Sequence, residues 1–370
     1  MKNIFISCGE VSGDIYAGGI IRELLTLNPS LKIWGMLGEK SVNAGGFAKW
    51  SYEELKLMGL FEIIPSIPRL LKLKRTITRE ILSENPDAVI LTDCPDFHLM
   101  LAKGLRKSGY NGKIISLIPP TVWAWRSGRV KNLRRDFDFC LPLFSFEHEF
   151  LLKHGVKSLW QSHPLVKEIE SVGLSQKFRE RFEGGQIIAL MPGSRRYDIR
   201  FHLDTLIKTA EILKSGGYSP VFSIAEGLSP DLASELRERL KNCDYWDGSG
   251  RELMLGSLAS VGVSGTVSVE AMLLGRFMTV IYNMNRVNYM ILKRLVKVKY
   301  ISIPNLLSKR MIYPELLCEK ATPPNIAREV ERYLNDEDYR SETDTAIKSA
   351  SEAMGHGDAF KFWAETVLRS

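Results

Sequence analysis

The feature that most constrains this 370-residue chain is a rhythm that starts twice. "NIFISC" (3–8), "KIWGML" (32–37), "AVILTD" (88–93) and "KIISLI" (113–118) read as buried strands, with helix-like segments between them. After about residue 170 the pattern restarts with "QIIALMPGS" (186–194), "YSPVFSIAEG" (218–227), "LASVGVSG" (258–265) and "FMTVIYN" (277–283). Short apolar runs alternating with helical patterns are the signature of parallel α/β units. The stretch "VGLSQKFRERFEGG" (172–185) reads as a linker and a short helix. Length alone argues for about two domains. The expected fold is therefore α/β, with two doubly wound domains facing a cleft. Open α/β sheets bind ligands beyond the carboxyl ends of their strands. Functional residues are expected where strands give way to loops.

Composition excludes more than it identifies. Hydrophobic residues at 45% and charged residues at 25% are ordinary for a globular chain. A net charge of +7 fits an anionic ligand or surface without requiring one. No run approaches the ~20 apolar residues of a membrane-spanning helix. The N-terminus enters a strand almost at once, with no h-region and cleavage site of a leader. Cys8, Cys94, Cys140, Cys243 and Cys318 are widely spaced and form no C-x-x-C, which suits a reducing cytosol and free thiols. The histidines form no H-E-x-x-H pattern, and no D-x-D pair ends a strand beside the anion-binding element. The expectation is no metal and no other cofactor.

Several strand ends carry chemistry. In "VSGTVSVEAMLLG" (263–275) a strand ends at Ser264-Gly265-Thr266 and a helix begins. Small residues at a helix N-terminus let backbone N–H groups reach an anion. Glu270, one turn on, can accept from both hydroxyls of a ribose. "IIALMPGSRR" (187–196) is a second such junction, where Ser194 and Arg195 would meet a diphosphate leaving group. "SCGEVSGDIYAGG" (7–19) follows the first strand without matching G-x-G-x-x-G; Glu10 is a candidate there, and Asp14 reads as a helix cap. "ILTDCPDFHLML" (90–101) ends a strand in Asp93, where a general base belongs, while Asp96 after Pro95 equally suits a helix cap. His163, before a proline, reads as a packed loop residue or a secondary catalytic candidate.

Two segments are apolar and basic together. "PPTVWAWRSGRVKNLRR" (119–135) sets Trp123 and Trp125 before Arg126, Arg129 and further cations. "LKLMGLFEIIPSIPRLLKLKRTITREIL" (55–82) begins with Met58, Leu60 and Phe61 and continues past Pro65 and Pro68 as a basic amphipathic helix. Arg69, Lys72 and Arg75 lie among its cations, and Leu70, Leu71, Ile77 and Ile81 mark an apolar face. Such a unit lies in an anionic membrane interface or packs on its own domain.

Together and in this order, "GEVSGD" (9–14), "LMGLFEI" (57–63), "TDCPDF" (92–97), "PPTVWAWRSGR" (119–129), "HPL" (163–165), "MPGSR" (191–195), "SGTVSVEAMLLG" (264–275) and "YISIPNLLSKR" (300–310) resemble the lipid-A-disaccharide synthase family over nearly the whole chain. The resemblance implies a GT-B fold: an N-terminal acceptor and membrane-docking domain over 1–170, a UDP-sugar-binding domain over 171–345, and C-terminal helices, 346–370, packing back on the first. It implies inverting transfer of 2,3-diacylglucosamine from UDP-2,3-diacylglucosamine to the 6-hydroxyl of 2,3-diacylglucosamine 1-phosphate. Asp93 would be the base, and Arg195 would stabilise departing UDP. Ser194, Ser264, Gly265, Thr266, Glu270 and Asn305 would hold the donor. Trp123, Arg126 and Arg129 would serve the acceptor side, Glu10 would orient acceptor or donor hydroxyls, and His163 stays a secondary candidate. Met58, Leu60, Phe61, Arg69, Lys72 and Arg75 would meet acyl chains and an anionic membrane surface, placing the protein peripherally on the cytoplasmic face of the inner membrane. The choice between a monomer and a C-terminally exchanged homodimer stays open. The sequence departs from the family in Gln161-Ser162, where Gly usually precedes "HP", and in Asp198, usually Glu. A UDP-N-acetylglucosamine epimerase would share the S-G-T-x3-E element but needs neither the W-A-W-R stretch nor segment 55–82. An RNA-binding protein would use the same tryptophans and arginines, but no RNA-binding signature accompanies them, so no nucleic-acid partner is expected.

Overall fold

The computed structural model describes residues 1–55, 63–124, 126–284 and 299–370, and for 63–66 the backbone alone. Met58, Leu60, Phe61 and Trp125 therefore lie outside the described residues. The chain forms two compact units. One joins Met1–Pro164 to His356–Ser370, and the other is Leu165–Gly355.

The first unit is built on a parallel six-stranded sheet. Its strands are β1 (Asn3–Cys8), β2 (Lys32–Leu37), β3 (Phe47–Ser51), β4 (Ala88–Thr92), β5 (Lys113–Leu117) and β6 (Phe139–Leu141), in the order β3-β2-β1-β4-β5-β6. The chain winds outward from β1 to one edge, returns to β4 and winds outward to the other. The reversal lies between β1 and β4, where Cys8 is opposite Thr92. Side chains alternate across the pleat. Ile4, Ile6 and Cys8 of β1 join Ile20, Ile21 and Leu24 of α1 (Val11–Leu27) and Trp363 and Val367 of the C-terminal helix Ala359–Arg369. Phe5 joins the opposite layer, with Ile77 and Ile81 of α3 (Ile63–Glu84) and Leu101 and Leu105 of α4 (Pro95–Lys107). Between α1 and α3 lies the short α2 (Glu39–Asn43). Both faces of the sheet are covered, and so the central strands read as unbroken apolar runs.

The second unit repeats this plan. Its strands are β7 (Ile187–Met191), β8 (Ser219–Ser223), β9 (Asp244–Trp246), β10 (Ala259–Val263), β11 (Met278–Tyr282) and β12 (Glu315–Leu317), in the parallel order β12-β11-β10-β7-β8-β9. The winding reverses between β7 and β10, where Gly262 is opposite Met191.

Every strand expected from sequence is present. The structure adds β3, β6, β9 and β12, which are the outer strands of the two sheets. The chain passes from the first unit to the second at Pro164, ahead of the expected linker. The helix Gln176–Phe182 already belongs to the second unit: Ser175 caps it, and Phe178 is buried with its ring 5.2 Å from that of Trp246. At the other end only Ala359–Arg369 joins the first unit. The helix Glu337–Glu352 stays with the second, burying Thr343, Ala346, Ile347 and Ala350 there.

Helix α3 divides the reading of segment 55–82. Leu73, Ile77 and Ile81 are buried in the core, so Ile77 and Ile81 hold the fold together and do not form an outward stripe. Ile67 and Leu71 are exposed, and Arg69, Lys72, Arg75 and Arg79 share that outer side. Among the described residues no helix is long and apolar enough to cross a membrane.

Candidate active site

In each sheet the reversal of winding leaves a crevice at the carboxyl ends of the two central strands, because their connections run to opposite sides. Asp93 and Glu10 fall at the first of these places, and six of the donor candidates at the second.

In the first unit Asp93 follows β4. The backbone turns sharply there, with φ +52° at Asp93 and +37° at Cys94, before Pro95 begins α4. This turn carries the Asp93 carboxyl toward the loop after β1. Its Oδ1 accepts the Gly9 N–H at 2.7 Å. The first turn of α1 lies so close that a Cβ on Gly13 would fall 1.6 Å from Asp93 Oδ2. The glycines of "GEVSGD" thus make room for a carboxylate from another strand. Oδ2 is buried and has no hydrogen-bond partner among the described residues. Burial pushes the Asp93 carboxyl up to about 7, against the pull of the Gly9, Glu10 and Gly13 N–H groups, and the charge of Glu10 adds to the rise. A carboxyl that titrates near neutrality is suited to take a proton from a hydroxyl.

The neighbouring carboxylates have other work. Glu10 is exposed, and its Oε1 accepts the Ser12 hydroxyl at 2.7 Å. Asp14 is a cap, but of α2 and not of α1: its carboxylate accepts the N–H groups of Gly38 at 2.9 Å, Lys40 at 2.9 Å and Ser41 at 3.2 Å. Asp96 is exposed in the first turn of α4 and forms ion pairs with Arg129 and, at 3.3 Å, with Arg126. The two arginines expected to meet an acceptor phosphate are thus held beside the Asp93 turn by a carboxylate.

Trp123 is half-buried. Its Nε1–H donates to Glu147 Oε1 at 2.9 Å, and its ring meets Phe146 edge-on at 4.9 Å. Burial pushes Glu147 up to about 7, and its other oxygen accepts the N–H groups of Leu143 and Phe144. His163 is buried against Phe144 with ring centres 5.1 Å apart, and burial pushes it down to about 3. A neutral packed ring is compatible with the loop role considered for His163. The departure at Gln161-Ser162 has a visible use: Gln161 Nε2 donates to His356 O at 3.0 Å and Ser162 Oγ to Gly357 O at 3.2 Å, tying down the chain's return to the first unit.

In the second unit the donor candidates converge. A cavity of about 560 Å³ opens at the carboxyl ends of β7, β8 and β10, and Ser194, Arg195, Ser264, Gly265, Thr266 and Glu270 all line it. Two helices begin at its wall, Arg196–Ser215 and Thr266–Leu273. Their first N–H groups have no acceptor within the helix and suit an anion. Gly193 sits at φ +102°, and a Cβ there would lie 2.6 Å from Asp198 Cβ. The P-G-S-R turn therefore needs glycine to bring Ser194 and Arg195 round, and Asp198 joins the lining.

Sequence reasoning missed Arg251, another lining residue. Its Nε–H donates to Glu270 Oε1 at 2.9 Å and a terminal N–H to Glu168 Oε2 at 2.8 Å. No motif surrounds it, and its partners are far away in the chain. Asn305 is a correction. It is fully buried outside the cavity lining, its amide N–H groups donating to Tyr313 O and Glu315 Oε1 while its Oδ1 accepts from the Ile312 and Tyr313 N–H groups. With every donor and acceptor satisfied by its own loop, Asn305 organises residues 301–315 and has none to offer a ligand. Among the described residues no group of three His, Cys, Asp or Glu side chains is placed to hold a metal ion.

Comparison with known proteins adds three findings. Residues 4–359 match the family model described as lipid-A-disaccharide synthetase. The lipid-A-disaccharide synthase of Chromohalobacter salexigens is 33% identical over 365 residues, covering 96% of this chain and 93% of that protein. That of Geobacter sulfurreducens is 31% identical over 371 residues, covering 99% and 96%. Among solved structures, an S. aureus MnaA–UDP complex aligns with TM-score 0.62 at 12% identity, covering all of this chain and 95% of that one. A Neisseria meningitidis UDP-GlcNAc 2-epimerase bound to UDP-GlcNAc aligns with TM-score 0.61 at 13% identity, covering both chains fully. A Rickettsia africae glycosyltransferase aligns with TM-score 0.59 at 12% identity, covering 100% and 98%. At such identities these alignments speak to the fold, which is GT-B.

Proposed function

Because the chain belongs to the lipid-A-disaccharide synthetase family, we propose that it joins two acylated glucosamine units by a metal-independent, inverting displacement at the donor's anomeric carbon. It is a GT-B glycosyltransferase. The donor in this reading is UDP-2,3-diacylglucosamine and the acceptor 2,3-diacylglucosamine 1-phosphate. The observation that carries it is the cavity at the β7/β10 reversal, where Ser194, Arg195, Ser264, Gly265, Thr266 and Glu270 form one lining.

The chemistry follows from the residues. The diphosphate lies on the two helix N-termini, and Glu270 accepts from the ribose hydroxyls while Arg251 holds it in place. The acceptor hydroxyl oxygen attacks the anomeric carbon as the bond from that carbon to the diphosphate oxygen breaks. Asp93 takes the hydroxyl proton. UDP leaves with the bonding electron pair, and Arg195 with the helix termini offsets the charge that builds up on it. An epimerase of the same fold would need no acceptor base in the first unit, and the family match supports the transferase. The exposed Ile67 and Leu71, together with the exposed Arg69, Lys72 and Arg75 of α3, support docking on the anionic cytoplasmic face of the inner membrane, where acylated substrates reside.

Mass spectrometry of the products formed from the two acylated substrates tests the activity. A disaccharide 1-phosphate and UDP are expected. Asp93→Asn should lower kcat by about 10²–10⁴ while UDP binding persists. Turnover by Asp93→Asn close to that of the parent overturns the base assignment.

A further inference from the structure

His98 is a buried titratable residue that the chemistry above leaves unused. It is 3% exposed, in the first turn of α4. Its Nδ1 lies 2.8 Å from the Asp93 carbonyl oxygen, and its Nε2 lies 2.8 Å from Ser7 Oγ on β1. A carbonyl oxygen only accepts, so Nδ1 carries the proton. Burial pushes the ring down to about 4, so it is neutral near pH 7 and Nε2 accepts the Ser7 hydroxyl.

We infer that His98 is a positioning residue for Asp93: through the Asp93 carbonyl it locks the strained turn that aims the carboxyl at the loop after β1. The inference rests on the reading of Asp93 as base. Asp93 and Cys94 are consecutive non-glycine residues in the left-handed region. Such backbone is strained and persists only where its surroundings hold it. The ring ties the turn to β1, because Ser7 pairs in register with Leu91 of β4. Without the tie the turn relaxes toward ordinary backbone and the carboxyl moves off the Gly9 N–H.

The direction of the resulting pH effect is fixed by what faces that carboxyl. Glu10 faces it from the start of α1, and its charge raises the Asp93 pKa. Cys8 at the end of β1 and Cys94 in the turn are thiols that burial pushes up, so they stay neutral and add no charge. Burial is the main cause of the Asp93 rise. A carboxyl released from the turn gains water, and its pKa falls toward the ordinary value of about 4.

The test is a series at position 98, read as kcat, KM and the acidic limb of the pH–rate profile, with near-UV circular dichroism to check folding. His98→Asn keeps a nitrogen donor at the δ position, whereas His98→Gln moves it to the ε position. The Asn variant should stay within a few-fold of the parent and keep its limb near neutrality. The Gln and Ala variants should lose roughly 10²-fold in kcat, keep the donor KM, and shift the limb to lower pH. If Ala does not fold, the contrast between Asn and Gln decides. Equal behaviour of Asn and Gln, or an unmoved limb in a folded Ala or Gln variant, overturns the inference. Asp93→Asn run alongside separates the two claims. An active Asp93→Asn removes the base reading itself, and an inactive one beside a flat position-98 series removes only the positioning role.

Discussion

Asp93 is held where ionisation is costly, and that has two measurable sides. Its folded pKa of about 7 lies above the ordinary carboxylate value near 4. Between those values the folded chain binds more protons than the unfolded chain, so this residue's contribution to stability is full below pH 4 and is lost as pH rises through 7. Asp93→Asn, which cannot ionise, should therefore be more stable than the parent at pH 8 by about 1–3 kcal/mol. The difference should vanish at pH 4, and chemical denaturation at the two pH values measures it. Activity runs the other way: kcat/KM should rise with pH and level off above about 7, as the free base becomes ionised. At the donor pocket, Glu270→Ala should weaken UDP by roughly 2–4 kcal/mol, since a charged acceptor for two hydroxyls is lost. Calorimetry reporting unchanged UDP affinity would remove Glu270 from the ribose. Asp93 and Glu270 were legible because each closes a strand–turn–helix motif. His98 and Arg251 were not, since their partners Ser7 and Glu168 come from elements with no shared local pattern.

The same contrast holds for whole elements. The central strands announce themselves because both faces are covered and nearly every residue must be apolar. The outer strands are short or half-wet: β3 is mostly exposed, and β6, β9 and β12 have three residues each. Such segments carry too few buried positions to stand out from loops, and they are recognised only by the partner they pair with. Helix α3 was legible as amphipathic, but its sequence did not say which part of its apolar face goes inward. Leu73, Ile77 and Ile81 go to the core, leaving Ile67 and Leu71 outside with the cations. This division sets the docking test. Replacing Arg69, Lys72 and Arg75 with Gln should weaken binding to anionic vesicles by about 1 kcal/mol per charge, and less so as salt rises. Replacing Ile67 and Leu71 with Ser should weaken it at every salt concentration, because burial is not screened. Co-sedimentation of both variants at the parent's level would leave α3 as fold alone.

Across the whole molecule the chain leaves the first unit at Pro164, builds the second through Gly355 and returns. The return is short but well anchored. Trp363, Ala364 and Val367 of the last helix are fully buried against α1 and the sheet. Trp363→Ala should cost the first unit about 3–5 kcal/mol, the range for emptying a large aromatic site. UDP binding, which the proposed function assigns to the second unit, should be retained; calorimetry beside a thermal melt would show one property lost without the other. The family resemblance implied such a return over 346–370; the first unit resumes at His356, and Glu337–Glu352 packs within the second. The returning helix also bears on synthesis. Domains ordinarily fold in the order in which they leave the ribosome. Here the unit made first waits for the piece made last, while the second unit is already whole. During that interval α1 and its side of the sheet lack Trp363 and Val367, so a nascent chain carries a bare apolar face for the entire time that residues 165–355 are being translated. A chaperone that binds exposed apolar surface has its longest opportunity there, and a chain cut short between Gly355 and Ala359 carries a complete second unit with its pocket and an unfinished first unit.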